Sequence, residues 1–169
     1  LLVSKGYNAT VLDNLSTGNK KNINKKAKFV FGDILNIDKN SKKLKNIDAV
    51  IHCAAQISVA YSLRNPLEDA KINIVGSLKV IELCRKLGIK KFVFSSTGGA
   101  MYGRLPKHLP VSEKKIEEPE SPYAIAKRSV ELYTNFYSSA YGIDCISLRY
   151  ANVYGPRQDY LGEAGVVAI

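Results

Sequence analysis

Residues 48–95 read DAVIHCAAQISVAYSLRNPLEDAKINIVGSLKVIELCRKLGIKKFVFS, and this segment shows most directly how the chain folds. Ala49–Cys53 and Lys91–Ser95 are short apolar runs of strand length, and the first of them is predicted to be a buried strand. Between them, apolar residues recur at helical spacing from about Pro66 to Leu87, and Gly88 supplies a helix stop. A strand, a long crossover helix and a second strand form a βαβ unit, which predicts a parallel sheet. The apolar helix positions are Ile72, Val75, Leu78, Ile81 and Leu83.

The same alternation continues on both sides of this unit. The further predicted elements are strands at Asn8–Leu12, Lys28–Phe31 and Cys145–Leu148, and a second long helix opened by Ser121 as N-cap and Pro122 in the first turn. We therefore predict an α/β fold with a Rossmann-type doubly wound parallel sheet. We expect residues 1–169 to be one incomplete nucleotide-binding domain, truncated at both ends, with most of a C-terminal substrate-binding lobe absent and a further element starting at Val166–Ile169.

Composition narrows the class of protein. The chain has 169 residues and 46% hydrophobic residues, an ordinary globular composition. No apolar stretch is long enough to span a bilayer, so we expect no membrane association and a cytoplasmic location. The net charge of +10 comes largely from lysines without aromatic interleaving, and we expect no nucleic-acid partner. The three cysteines are scattered and interpreted as small buried hydrophobes, His52 as a core residue, and no metal site is expected.

Two carboxylates follow predicted strands. Asp13 ends a strand at the position where an acidic residue in a dinucleotide fold hydrogen-bonds the adenosine ribose and disfavours NADP. Asp33 ends the next strand, where it could accept from the adenine amino group while Ile34 covers the ring. The alternatives are a turn residue for Asp13 and a helix N-cap for Asp33. Because the two occur together, we favour cofactor binding for both.

The strongest chemical signal is the pair Tyr123 and Lys127, four residues apart in a predicted helix and therefore on one face. A lysine ammonium near a phenol favours the phenolate, which suits proton transfer. Upstream, Ser95-Ser96-Thr97 ends a strand, where a hydroxyl could hydrogen-bond the same reacting oxygen. The three elements together predict a catalytic set.

Six segments together resemble the extended short-chain dehydrogenase/reductases, most of all the UDP-glucose 4-epimerases, over essentially the whole chain. These segments are Leu12–Gly18, Gly32–Ile34, Val50–Gln56, Phe94–Gly103, Ser121–Lys127 and Leu148–Arg157. The resemblance implies that Tyr123 is the acid/base, that Lys127 holds the nicotinamide ribose and tunes the tyrosine, and that Thr97 is the hydroxyl partner. It also implies NAD as cofactor. The NAD contacts implied are Asp13, Asn14, Ser16, Asp33, Ile34, Ala54, Ala55, Gln56, Asn73, Tyr123, Lys127 and Tyr150. The substrate contacts implied are Thr97, Tyr123 and Asn152, of which Asn152 is alternatively a turn residue.

The implied reaction is epimerisation of a UDP-hexose at C4 through a transient 4-keto sugar. A dTDP-glucose 4,6-dehydratase needs a further acid and base after the threonine, but Thr97 is followed by Gly98, Gly99 and Ala100, which cannot transfer protons. UDP-glucuronate decarboxylases or epimerases, and a non-catalytic nucleotide-binding scaffold, stay open as alternatives. The resemblance further implies a homodimer formed through the two long helices.

Overall fold

The computed structural model describes residues 1–103 and 110–158. Two parallel sheets carry the fold. One pairs β1 with β2, and the other has the strand order β3-β4-β5. The strands are β1 (Thr10–Asp13), β2 (Lys28–Phe31), β3 (Ala49–His52), β4 (Lys91–Thr97) and β5 (Asp144–Tyr150). The parallel α/β fold is the one predicted. The element predicted at Val166–Ile169 lies outside the described residues.

Helices connect the strands. The α-helices are α1 (Val59–Arg64), α2 (Pro66–Ala70), α3 (Ser77–Leu87) and α4 (Pro122–Tyr141), and shorter 3₁₀ segments span Val3–Lys5, Lys20–Asn22 and Ile34–Lys43. A π-helical stretch, Lys71–Gly76, joins α2 to α3. Ser121 caps α4 by accepting a hydrogen bond from the Ala124 amide, and Gly88 ends α3 in the left-handed conformation. The long helix predicted from Pro66 to Leu87 is present.

The core lies between one face of the β3-β4-β5 sheet and helices α3 and α4. Phe92 and Phe94 of β4 are fully buried on this face, and Val130 of α4 and Ile81 of α3 pack in the same cluster. Ile34 joins this cluster from the segment after β2, so the two sheets share one core. Because residues alternate along a strand, Thr97 is carried on the opposite face from the buried phenylalanines, at the carboxyl end of β4.

Strand β3 is less buried than predicted. Ile51 is 50% exposed, whereas Val50 and His52 point into the core. Ile51 lies on the face opposite the core cluster, where Ile146 and Leu148 of β5 are also exposed within the described part of the chain. The interpretation of all three cysteines as buried is also wrong for Cys53, which is exposed just past the end of β3, although Cys84 is buried. In the described ranges, no helix has the length and apolar character needed to cross a membrane.

His52 is a core residue, as predicted, and makes stability depend on pH. Its Nε2 lies 2.8 Å from the Ser77 hydroxyl, and burial, helped by the positive charge of Lys127, lowers its pKa to about 3. In the unfolded chain this histidine takes up a proton near pH 6.5, whereas in the folded chain it stays neutral down to about pH 3. The folded state therefore has its full stability above pH 6.5 and loses stability as the pH falls below that value.

We expect the free energy of unfolding of the wild type to drop by about 2 kcal/mol more between pH 7 and pH 5 than that of His52→Gln. The glutamine amide can keep a hydrogen bond to Ser77 but takes up no proton in this range. Denaturant unfolding at the two pH values measures the difference. Parallel losses in the two proteins would show that His52 does not control the pH dependence.

Candidate active site

The predicted site residues collect at the carboxyl ends of the parallel strands. Asp13 closes β1, Asp33 follows β2, Ala54 follows β3, and Thr97 and Tyr150 close β4 and β5. Thr97 and Tyr150 are partners in the parallel register. In open parallel sheets, ligands bind in the crevice beyond these strand ends.

At the β1-β2 end, short hydrogen bonds fix the carboxylates. Asp13 accepts a hydrogen bond from the Leu15 amide at 2.6 Å, and a Cβ placed on Gly18 would lie 3.1 Å from its Oδ1. Asn14 donates through Nδ2 to Asp33 Oδ2 at 2.9 Å. The other oxygen of Asp33 caps the following 3₁₀ segment, accepting from the Leu35 amide at 2.7 Å. Asp33 is therefore both a helix cap and a partner of Asn14.

Ser16 and Ile34, also predicted to contact the cofactor, are placed differently from one another. The exposed Ser16 donates its amide to Asn14 Oδ1 at 3.0 Å and belongs to the turn after β1. Ile34 is only 8% exposed and packs so closely against Gly76 that a Cβ there would lie 2.5 Å from its Cδ1.

After β3, the chain is held by a cluster of buried amides. Asn73, 2% exposed in the π-helical stretch, accepts from the Gln56 amide and donates to its carbonyl, both at 2.9 Å. Asp69 Oδ1 accepts from both side chains, from Gln56 at 2.7 Å and from Asn73 at 2.9 Å. This cluster fixes the backbone at Gln56, directly after the small residues Ala54 and Ala55.

Asp69 is not among the site residues predicted from the sequence. The structure shows that its side chain is fully buried. Its second oxygen, Oδ2, has no hydrogen-bond partner within the described part of the chain. Burial raises the pKa of this carboxyl, while hydrogen bonds from Gln56 and Asn73 and the charge of Lys127 act in the opposite direction. A carboxyl group under a predicted cofactor site is thus kept out of water by its neighbours.

The structure brings Tyr123 and Lys127 together in the first turns of α4. The Lys127 ammonium lies 5.7 Å from the centre of the Tyr123 ring and 4.8 Å from that of Phe94. Its Nζ donates to the Ser95 carbonyl at 2.8 Å, so the helix is tied to β4 beside Thr97. Burial lowers the pKa of Lys127 to about 8, and the nearby Cys53 and Asp69 oppose that shift only in part. The ammonium is mostly charged at neutral pH and loses its charge above pH 8.

Comparison with known proteins gives the family. The model of the NAD dependent epimerase/dehydratase family matches residues 1–168. The chain belongs to this family. It is 41% identical over 174 aligned residues to the UDP-glucose 4-epimerase of Mycolicibacterium smegmatis, an alignment that covers 99% of the chain and 55% of that protein. The chain thus spans about half the length of the curated relatives it matches.

Solved epimerase structures match the fold over nearly the whole chain. The UDP-glucose 4-epimerase of Thermotoga maritima with UDP-glucose superposes with a TM-score of 0.93 at 50% identity, covering 99% of this chain and 55% of that one. The UDP-glucose 4-epimerase of Thermus thermophilus in complex with NAD gives 0.94 at 43% identity, covering 99% and 54%. The Rossmann-type fold and NAD as the cofactor of the family agree with the sequence-based predictions.

The strand ends of this epimerase-family chain suit a dinucleotide. The carboxylate of Asp13 stands over a glycine turn, Asn14 and Asp33 form a polar pair beside it, and Ala54 and Ala55 are small. Carboxylates at this position accept from ribose hydroxyls, and small residues allow close approach of the backbone. Within the described residues, no group of three or more histidine, cysteine or acidic side chains could hold a metal ion.

Two further predicted residues lie at the end of β5 and just beyond it. Tyr150, 40% exposed, accepts through its carbonyl a 2.6 Å hydrogen bond from the Gly98 amide. Asn152 lies exposed in the irregular segment after β5. Gly98 approaches β5 so closely that a Cβ would lie 3.1 Å from the Tyr150 carbonyl and 3.2 Å from that of Arg149.

Gly98 and Gly99 offer a matched test of this close approach. A methyl group at Gly98 would stand 3.1 and 3.2 Å from two carbonyl oxygens of β5, so we expect Gly98→Ala to lower the free energy of unfolding by about 1–3 kcal/mol. Gly99→Ala is the control, because nothing lies within 4 Å of a Cβ there. Denaturant unfolding compares the two variants. Equal free energies of unfolding would show that the close approach of Gly98 to β5 does not constrain the backbone.

Proposed function

We propose that the protein containing this chain interconverts UDP-glucose and UDP-galactose by epimerisation at C4, with NAD as a bound cofactor. The observation that carries the proposal is the buried Lys127 ammonium 5.7 Å from the Tyr123 ring, on a helix tied to the strand end that holds Thr97. A pure nucleotide-binding scaffold has no need of this proton-transfer set. That alternative therefore has less support.

Tyr123 and Thr97 would act on the 4-hydroxyl. We infer that the Tyr123 phenolate takes its proton and later returns it, and that Thr97 orients the same oxygen by hydrogen bonding. The charge of Lys127 favours the phenolate and so supplies a base at neutral pH. Bound NAD supplies the hydride chemistry that makes C4 temporarily a ketone. Asp13, Asn14, Ser16, Asp33, Ile34, Ala54, Ala55, Gln56, Asn73, Lys127 and Tyr150 are the residues proposed to hold it.

The residues proposed to hold the cofactor are of two kinds. Residues at the surface of the strand ends can contact it directly, and buried residues support those that do. Asn73 has both polar atoms of its amide engaged by Gln56 and Asp69, so it supports the cofactor through Gln56. Ile34 is buried and shapes the pocket from beneath. Asp13 and Asn14 lie at the strand ends with their side chains beside the turn, where they can meet the adenosine ribose.

A second candidate within the family is a UDP-glucuronate decarboxylase or epimerase. It would use the same Thr97, Tyr123 and Lys127 set and would need groups that recognise the sugar carboxylate. Dehydration of a dTDP-sugar is disfavoured by Gly98, Gly99 and Ala100, because none of these residues can transfer a proton.

The experiment is to express the longest reading frame that contains this sequence and to follow UDP-galactose conversion with NAD and without added reductant. Formation of UDP-glucose supports an epimerase that recycles its cofactor. No interconversion, with carbon dioxide released from UDP-glucuronate or a 4-keto-6-deoxy product from a dTDP-sugar, would overturn the proposed reaction.

We also propose a homodimer, built through α4 and the helical stretch that ends in α3. Both expose large apolar side chains, with Leu132 55% and Phe136 52% exposed on α4 and Leu67 87% exposed on α2. A monomeric mass in solution for the full-length protein would contradict this assembly.

A further inference from the structure

A buried ionic cluster lies behind the catalytic residues on the core side of β4 and β5. Arg149 donates to Glu131 through two bonds, Nε to Oε1 at 2.9 Å and Nη2 to Oε2 at 2.6 Å. It also donates to the Tyr102 hydroxyl and to Glu117, both at 2.6 Å. Ser96 donates to Glu131 Oε1 at 2.6 Å. We call Ser96, Tyr102, Glu117, Arg128, Glu131 and Arg149 the Glu131–Arg149 cluster.

The positive and negative charges of the cluster balance, and its members form hydrogen bonds with one another. Arg128 contacts Glu131 at 3.3 Å and Glu117 at 3.5 Å, so two guanidinium groups face two carboxylates. The Glu131 side chain is 5% exposed and that of Arg149 18%. Burial raises the pKa of Glu131, but the bonds from Arg149 and Ser96 outweigh burial and leave it below its ordinary value. Glu131 is therefore an ionised partner of Arg149.

Three members of the cluster stand close in sequence to residues of the proposed site. Ser96 precedes Thr97 on β4, and Arg149 precedes Tyr150 on β5. Glu131 follows Lys127 by one helical turn on α4. Because successive strand residues point to opposite faces, Ser96 and Arg149 reach the cluster while their neighbours face the crevice. Tyr102 and Glu117 bind the segments between β4 and α4 to the same arginine.

We infer that Glu131 and Arg149 are positioning residues, whose paired side chains fix α4, β4 and β5 relative to one another and thereby set the distances among Thr97, Tyr123, Lys127 and Tyr150. The inference rests on the proposed function for its catalytic consequence. Its geometric content, that the pair holds α4 against β4, is independent of the substrate. A misplacement of reacting groups by about 1 Å can cost about 10²-fold in rate.

Glu82 gives a matched control for Glu131. On α3, Arg85 donates to Glu82 through the same two bonds, at 2.9 and 2.7 Å, but this pair is 41% and 31% exposed and lies away from the strand ends. Glu131→Gln and Glu82→Gln thus make the same chemical change in two equivalent pairs. Arg149→Lys is the second variant at the cluster, because it keeps the charge balance, whereas a single ammonium cannot make the two-pronged bond to Glu131 and also reach Tyr102 and Glu117.

The test uses the full-length protein and two readouts. The first is the titration of Lys127, followed by mass spectrometry of its acetylation across pH, which needs no substrate. We expect the pKa of Lys127 to rise from about 8 towards its ordinary value in Arg149→Lys, because the charges are kept and a loosened α4 admits water, and to stay unchanged in Glu82→Gln. In Glu131→Gln the lost negative charge acts in the opposite direction, so its titration is compared with that of Arg149→Lys. An unchanged Lys127 titration in Arg149→Lys would overturn the inference, whatever happens to turnover.

The second readout separates positioning from general stability. We expect kcat for UDP-galactose to fall about 10-fold or more in both cluster variants at a temperature well below their Tm, with KM changed much less. A wild type that is inactive on UDP-galactose contradicts the proposed function alone, because the Lys127 titration still tests the pair. If Glu131→Gln does not fold, Arg149→Lys carries the test.

Discussion

Tyr123→Phe is expected to lower kcat for UDP-galactose by about 10²- to 10⁴-fold in the full-length protein, because it removes the one oxygen proposed to exchange a proton with the 4-hydroxyl. KM should change little, since the ring and its contact with Lys127 are kept. Steady-state kinetics measures kcat and KM. The stoichiometry of bound NAD should equal that of the wild type, because the substitution is not expected to release the cofactor.

Tyr133→Phe is the control for this substitution. Tyr133 is on the same helix and 43% exposed, so the loss of its hydroxyl should leave turnover within about twofold. If Tyr123→Phe keeps a kcat comparable to that of Tyr133→Phe, another group is the acid/base, and the assignment of Tyr123 is wrong.

Lys127→Met is expected to lower kcat by about 10²-fold or more and to move the acid limb of the pH–rate profile to higher pH. The sign follows from charge: the wild-type ammonium is positive below its pKa of about 8 and favours the phenolate, whereas methionine does not. Rates measured from pH 6 to pH 10 show the limb directly. Above pH 8 the difference between the two proteins should shrink, because Lys127 itself loses its charge.

Lys79→Met controls for the loss of a lysine contact to a backbone carbonyl at a partly buried position. Lys79 on α3 also donates to a backbone carbonyl, that of Leu35, at 2.6 Å, much as Lys127 donates to that of Ser95. The Lys79 variant should lose stability without any shift of the pH–rate profile. A shift of similar size in both variants would mean that the profile reports the fold and not the charge beside Tyr123.

Sequence patterns predicted most element ends, because these depend on local chemistry. Gly88 takes the left-handed conformation and Ser121 caps a helix for reasons that a few neighbouring residues settle. The exposure of β3 did not follow from its composition. Ile51 is apolar, yet its burial depends on what covers a sheet face, and this is a property of distant segments.

The site shows the same division. The placement of Tyr123 and Lys127 on one face of α4, and of Thr97 at the end of β4, could be predicted because the helical spacing and the strand end depend on neighbouring residues. The structure brings Lys127 to both Tyr123 and the end of β4. Asp69 and Glu131 could not be predicted, because their partners come from elsewhere in the chain, 13 residues away for Asp69 and Gln56 and 18 for Glu131 and Arg149. One usable signal existed: Glu131 lies on the Tyr123 and Lys127 face of α4.

The π-helical stretch Lys71–Gly76 constrains the length of the chain at this point. Asn73, within this stretch, must face Gln56 to accept its backbone hydrogen bond. Ser77, the first residue after the stretch, must face His52 to form the hydrogen bond with its ring. Deleting one residue between Asn73 and Ser77 would turn all of α3 by about 100° about its axis and swing Val80 and Cys84 out of the core. We therefore expect insertions and deletions to be rarer here than in a surface loop, and homologous sequences to align through this helix without a gap.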